Sequence, residues 1–84
     1  MIATVYSKDD CVWCERAKNL LKEKEIPYVD LKYNIDYTKL ELMERVETYK
    51  STPAYPLTVP QIFFEDKYIG TYEDLVNYLR KNDV

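Results

Sequence analysis

The chain has 84 residues, 46% of them hydrophobic and 32% charged, the balance of one small globular domain spanning residues 1–84 with no room for a second. At this size folding buries roughly 60 to 65% of the surface of the unfolded chain, enough for one modest core but not for a deep cavity, so any active site is expected in a surface groove. The net charge of -3 removes the electrostatic attraction that dominates binding to phosphate backbones and anionic lipid, and neither nucleic acid nor membrane is an expected partner.

No apolar run approaches the ~20 residues of a spanning helix. The start, Met1-Ile2-Ala3-Thr4-Val5-Tyr6, lacks the basic flank and cleavage site of a signal peptide, and the expected compartment is the cytoplasm. There are two cysteines and no histidine. Without His the usual general base and the Ser/His and Cys/His nucleophile pairs are missing. Two thiols do not complete a structural zinc site, so no metal is expected.

Met1 to Tyr6 is an apolar, partly β-branched run without strict alternation, the pattern of a strand buried on both faces. Ser7 to Asp10 turns the chain. From Cys11 or Val12 to about Glu25, the residues Ala17, Leu20 and Leu21 recur at helical spacing, which predicts an amphipathic helix ended by Pro27. Tyr28-Val29-Asp30-Leu31-Lys32 alternates, with Val29 and Leu31 on one face, and reads as a second strand. Asn34 to Asp36 offers caps for a second helix, with Leu40, Met43 and Val46 expected in the core.

Ser51 to Leu57 contains two prolines and no period, and reads as a long loop. Gln61 to Phe64 and Lys67 to Ile69 are strand-like runs around Glu65-Asp66, a tight hairpin without its favoured glycine. Gly70 breaks the second of them. Thr71 with Asp74 resembles a capping box and opens a third helix with Leu75, Val76 and Leu79 on one face. The order βαβ, α, ββ, α implies an α/β domain: a mixed sheet with helices packed on its faces.

Cys11-Val12-Trp13-Cys14 falls at the junction of the first strand and first helix, where a C-x-x-C reads as a redox-active dithiol. Unpaired N–H groups and the positive end of the helix dipole favour a thiolate at Cys11. That thiolate attacks an external disulfide, and Cys14, one turn on, resolves the mixed disulfide. Trp13 at a helix start is a poor core residue and is expected to cover the thiol or stack on a bound peptide.

The sequence resembles the glutaredoxins over nearly its whole length. The matching residues are Tyr6-Ser7-Lys8 leading into the dithiol, Arg16-Ala17-Lys18 and Leu20-Leu21, Thr58-Val59-Pro60-Gln61-Ile62-Phe63, and Ile69-Gly70-Thr71-Tyr72-Glu73-Asp74-Leu75. The resemblance implies a thioredoxin fold with a four-stranded mixed sheet and helices on both faces, and a monomer. It also implies glutathione as reductant or co-substrate, and a cis bond before Pro60.

By the same resemblance Lys8, Trp13, Thr58, Val59, Pro60, Gly70, Thr71, Tyr72 and Glu73 line a glutathione groove. The γ-glutamyl carboxylate would rest on the N–H groups of Thr71, Tyr72 and Glu73, and Lys50 is the nearest cation for the glycine carboxylate. Many glutaredoxins carry Pro-Tyr between the cysteines and Gly-Gly where this chain has Gly70-Thr71. Its Val12-Trp13 and lengthened segment before Thr58 are closer to phage glutaredoxins and to the redoxins that supply ribonucleotide reductase. The expected function is a glutathione-dependent thiol-disulfide oxidoreductase acting on protein disulfides and glutathione mixed disulfides, with ribonucleotide reductase among its clients. Two alternatives remain: a redoxin recharged by thioredoxin reductase, and a module that holds an iron-sulfur cluster through Cys11 and glutathione.

Overall fold

The computed structural model of the chain describes residues 2–49 and 58–82. They form β1 (Ala3–Ser7), α1 (Val12–Glu23), β2 (Tyr28–Lys32), α2 (Lys39–Tyr49), β3 (Gln61–Phe64), β4 (Lys67–Gly70) and α3 (Tyr72–Asn82). The strands make one sheet in the order β2-β1-β3-β4. β1 is parallel to β2 and antiparallel to β3, and β3 is antiparallel to β4. This is the expected four-stranded mixed sheet. Lys50 and the Ser51 to Leu57 loop lie outside the described residues.

Alternation along the strands feeds two cores. Ala3 and Val5 of β1 and Ile62 and Phe64 of β3 pack with Ala17 and Leu21 of α1 and Leu75 of α3. Tyr6 and Phe63 point to the opposite face, where Tyr37, Leu42 and Val46 cover them. α1 and α3 therefore lie on one face and α2 on the other. Leu31 joins the second cluster as expected. Its neighbour on that face, Val29, stays 48% exposed because β2 is an edge strand.

Several local details differ from the sequence reading; among them, Met43 belongs to neither core cluster and Gly70 is the last paired residue of β4. α1 stops at Glu23 rather than Glu25. Glu25 takes a left-handed φ of 58, its N–H donates to the Lys22 carbonyl, and the N–H of Ile26 donates to the Leu21 carbonyl. That is a Schellman ending with glutamate in place of the usual glycine, and Pro27 only follows it. α2 is capped by Thr38 rather than by Asn34 to Asp36: Glu41 N–H donates to Thr38 Oγ1 at 3.2 Å and Thr38 N–H to Glu41 Oε1 at 2.9 Å, a reciprocal capping box. Leu40 is not core. It is 62% exposed, because the helix turns Leu42 and Val46, four apart, toward the sheet.

The register decides what meets at the active end. Tyr6 pairs with Gln61, Ser7 with Lys32, and Ile62 with Gly70. The end of β1, the start of β3 and the end of β4 consequently lie at one end of the sheet. Four segments converge there: Lys8 to Cys11, Tyr33 to Tyr37, Thr58 to Pro60, and Thr71 to Tyr72.

Candidate active site

Cys11 is the N-cap of α1, with an extended backbone at φ -116, and Asp10 before it turns through a φ of 55. Cys11 and Cys14 form a disulfide with Cα atoms 5.2 Å apart. The Cys14 N–H donates to Cys11 Sγ at 3.2 Å, so one unpaired donor of the helix start points at the first sulfur. The two thiols stand in opposite environments: Cys14 is fully buried and Cys11 partly exposed. Cys11 is therefore open to an external sulfur, whereas Cys14 faces the interior.

The turn that carries Cys11 is tied down from behind. The Ser7 carbonyl accepts from Tyr37 Oη at 2.8 Å and from the Tyr33 N–H at 2.9 Å. Ser7 is fully buried, and its Oγ donates to Asp30 Oδ1. Asp30 Oδ2 accepts from Lys18 Nζ at 3.0 Å, and Lys18 also reaches Glu15 at 2.9 Å. β1, α1 and β2 are thus joined by one polar chain next to the dithiol. Partial burial disfavours the charged form of Asp30, but hydrogen bonds from Ser7 and Lys18 and the charges of Lys18 and Lys32 outweigh it and hold the carboxyl below its ordinary range. Burial, with some repulsion from its neighbours, pushes Tyr37 up to about 12.

The Val59–Pro60 bond is cis. Its neighbour Gln61 is buried; Nε2 donates to the Thr58 carbonyl at 2.7 Å and Oε1 accepts from Tyr68 Oη at 2.6 Å. This amide fixes the segment from Thr58 to Pro60 to the sheet. Beside it opens a groove of about 420 Å³, lined among the described residues by Lys8, Tyr33, Tyr37, Lys39, Leu42, Thr58 and Val59.

Trp13 contacts Tyr72 with ring centroids 5.5 Å apart. Gly70 has a φ of +120, and a Cβ there would fall 2.3 Å from Asp74 Oδ2, so only glycine lets Asp74 close on Thr71. Asp74 Oδ2 accepts both the Thr71 N–H at 2.9 Å and its hydroxyl at 3.0 Å. The first of the three N–H groups expected to meet a carboxylate is therefore already engaged. Glu73 is exposed in the first turn of α3.

Of the residues expected in the groove, Lys8, Thr58 and Val59 line it together, whereas Trp13 and Tyr72 touch each other and are not part of that lining. The sequence reading missed Lys39, Tyr33 and Tyr37. The capping box at Thr38 and Glu41 would have placed Lys39 at a helix start, and the buried role of Gln61 was signalled by a lone polar residue in the run Pro60 to Phe64. Among the described residues no group of three His, Cys, Asp or Glu is placed to hold a metal ion.

The glutaredoxin family model matches residues 3–69 of the chain. Glutaredoxin-2 of Schizosaccharomyces pombe is 38% identical over 79 residues, covering 94% of this chain and 67% of that protein. The structure of reduced Escherichia coli glutaredoxin superimposes with a TM-score of 0.79 at 25% identity, covering 98% of this chain and 96% of that one. A buckwheat glutaredoxin solved with glutathione shares the fold, with a TM-score of 0.74 at 21% identity over 95% of this chain and 69% of that one. The chain belongs to the glutaredoxin family, and through its Cys11–Cys14 pair it is a thiol-disulfide oxidoreductase of the thioredoxin fold.

Proposed function

We propose that glutathione returns this dithiol to its reduced state, and that the chain reduces protein disulfides and glutathione mixed disulfides. The Cys11 thiolate attacks one sulfur of the substrate disulfide and expels the other as a thiolate. Cys14 then attacks Cys11 and releases the second, so the substrate gains two electrons and the pair becomes a disulfide. One glutathione opens that disulfide at Cys11 and a second resolves the adduct, leaving glutathione disulfide and the dithiol.

The observation that carries this reading is the groove beside Thr58 and Val59. It presents Lys8 and Lys39 over an apolar floor of Leu42, and among the described residues neither lysine has a carboxylate partner. Two cations that line one surface groove and have no carboxylate partner among the described residues suit a small peptide that ends in a carboxylate. Lys39 takes the part that the sequence reading gave to Lys50. Ribonucleotide reductase is proposed as a client from the likeness of the Cys11 to Cys14 motif to redoxins that serve it. We place the chain in the cytoplasm as a monomer, where a dithiol stays reducible.

The test presents the oxidised protein with glutathione and, separately, with thioredoxin reductase and NADPH. Faster reduction by glutathione is expected. Reduction by the reductase alone would make this a redoxin of the other kind.

A further inference from the structure

The dipeptide between the cysteines places an indole at the rim of the site. Trp13 is 52% exposed, and the guanidinium carbon of Arg16 lies 4.7 Å from the centre of its ring. Trp13 and Arg16 are three apart on α1, so the stack follows from helix geometry. The indole also meets Tyr72, the first residue of α3. Trp13 therefore joins the N-terminal ends of two helices, where unpaired N–H groups and both dipoles favour negative charge.

Arg16 is exposed, and among the described residues it has no carboxylate partner. Lys18, two residues on, is fully engaged by Glu15 and Asp30. Stacking against a ring face holds a guanidinium plane while leaving its N–H edge open for a carboxylate. The acids of the two first turns are Glu15, Glu73 and Asp74. Glu15 is bound to Lys18 and Asp74 to Thr71; Glu73, and Asp9 and Asp10 just before Cys11, are further exposed acids that oppose an incoming anion.

We propose that Arg16, held on the face of Trp13, recognises a carboxylate close to the disulfide of a client protein, so that the chain selects acidic client segments. Arg16 acts on docking and does not touch the reacting sulfurs. The proposal rests on the dithiol chemistry alone and is independent of what recharges the pair.

The test is a single-turnover reaction of protein pre-reduced with a phosphine, which needs no glutathione. It uses three symmetrical peptide disulfides whose cysteine is flanked by glutamate, glutamine or lysine. Trp13 is the one tryptophan of the chain, and its fluorescence follows oxidation of the pair. The apparent second-order rate constant should fall from the glutamate to the glutamine to the lysine peptide, by about 3- to 5-fold per step at low salt, the size of one exposed charge interaction. Arg16→Gln should bring the three within about 2-fold of one another while leaving the glutamine peptide at the wild-type rate, and Glu73→Gln should widen the spread. Equal rates for the three peptides with the wild-type protein, an unchanged ranking in Arg16→Gln, or an equal loss on all three would overturn the proposal.

Discussion

The carboxylate of Asp74 holds Thr71 twice, through its N–H at 2.9 Å and its hydroxyl at 3.0 Å, and Gly70 makes room for it. A Cβ at position 70 would lie 2.3 Å from Asp74 Oδ2, on a backbone with a φ of +120. Gly70→Ala should therefore push Asp74 off the start of α3 and cost about 1 to 3 kcal/mol from strain and the lost cap. Urea unfolding measures the loss. A neutral substitution would mean that this cap contributes nothing.

Gln61 answers both the Thr58 carbonyl and the Tyr68 hydroxyl. Gln61→Leu keeps the bulk and removes both partners, and an expected loss of about 1 to 3 kcal/mol follows from leaving buried polar groups unpaired. Tyr68→Phe removes one bond together with its donor, so it should cost less. Thermal unfolding of the two variants tests the ranking.

Asp30 gives stability a pH dependence of definite sign. Its folded carboxyl titrates below the ordinary 3.8, so its contribution is fully present above that value and is lost as pH falls through the folded one. Asp30→Asn should be less stable at neutral pH and lose less on acidification between about pH 5 and 2, as a carboxylate of this kind requires. Denaturant midpoints across that range give the comparison, and parallel curves for the two proteins would contradict it.

Lys8 and Lys39 share one groove. If glutathione binds there, Lys8→Ala and Lys39→Ala should each raise its KM by about 3- to 10-fold, with little change in kcat, because uniform binding is lost. Leu40→Ala, on the same helix but 62% exposed, serves as the control and should leave KM unchanged.

The element order and the dithiol were legible because each rests on local chemistry: the β2 run Tyr28 to Lys32, the helix start at Cys11 and the cap at Thr71 all read directly. What escaped is tertiary. Leu40 and Leu42 look alike in a helical pattern, and only packing against Tyr6 and Phe63 brings Leu42 inward. The end of α1 depends on Glu25 tolerating a left-handed backbone, which composition disfavours. Lys39 reaches the groove because α2 is capped at Thr38, and Arg16 finds Trp13 one turn back on α1.

The proposed division of labour between the two thiols is that Cys11 attacks and Cys14 resolves. It rests on Cys11 being open at the helix start while Cys14 is fully buried. The most direct measurement is brief alkylation of the reduced protein with iodoacetamide across pH 5 to 9, with the modified sites mapped by mass spectrometry. Cys11 should react first and already below the ordinary thiol range near 8.5, with Cys14 protected until the chain unfolds. Rapid modification of Cys14 with Cys11 slow at neutral pH would reverse the two roles.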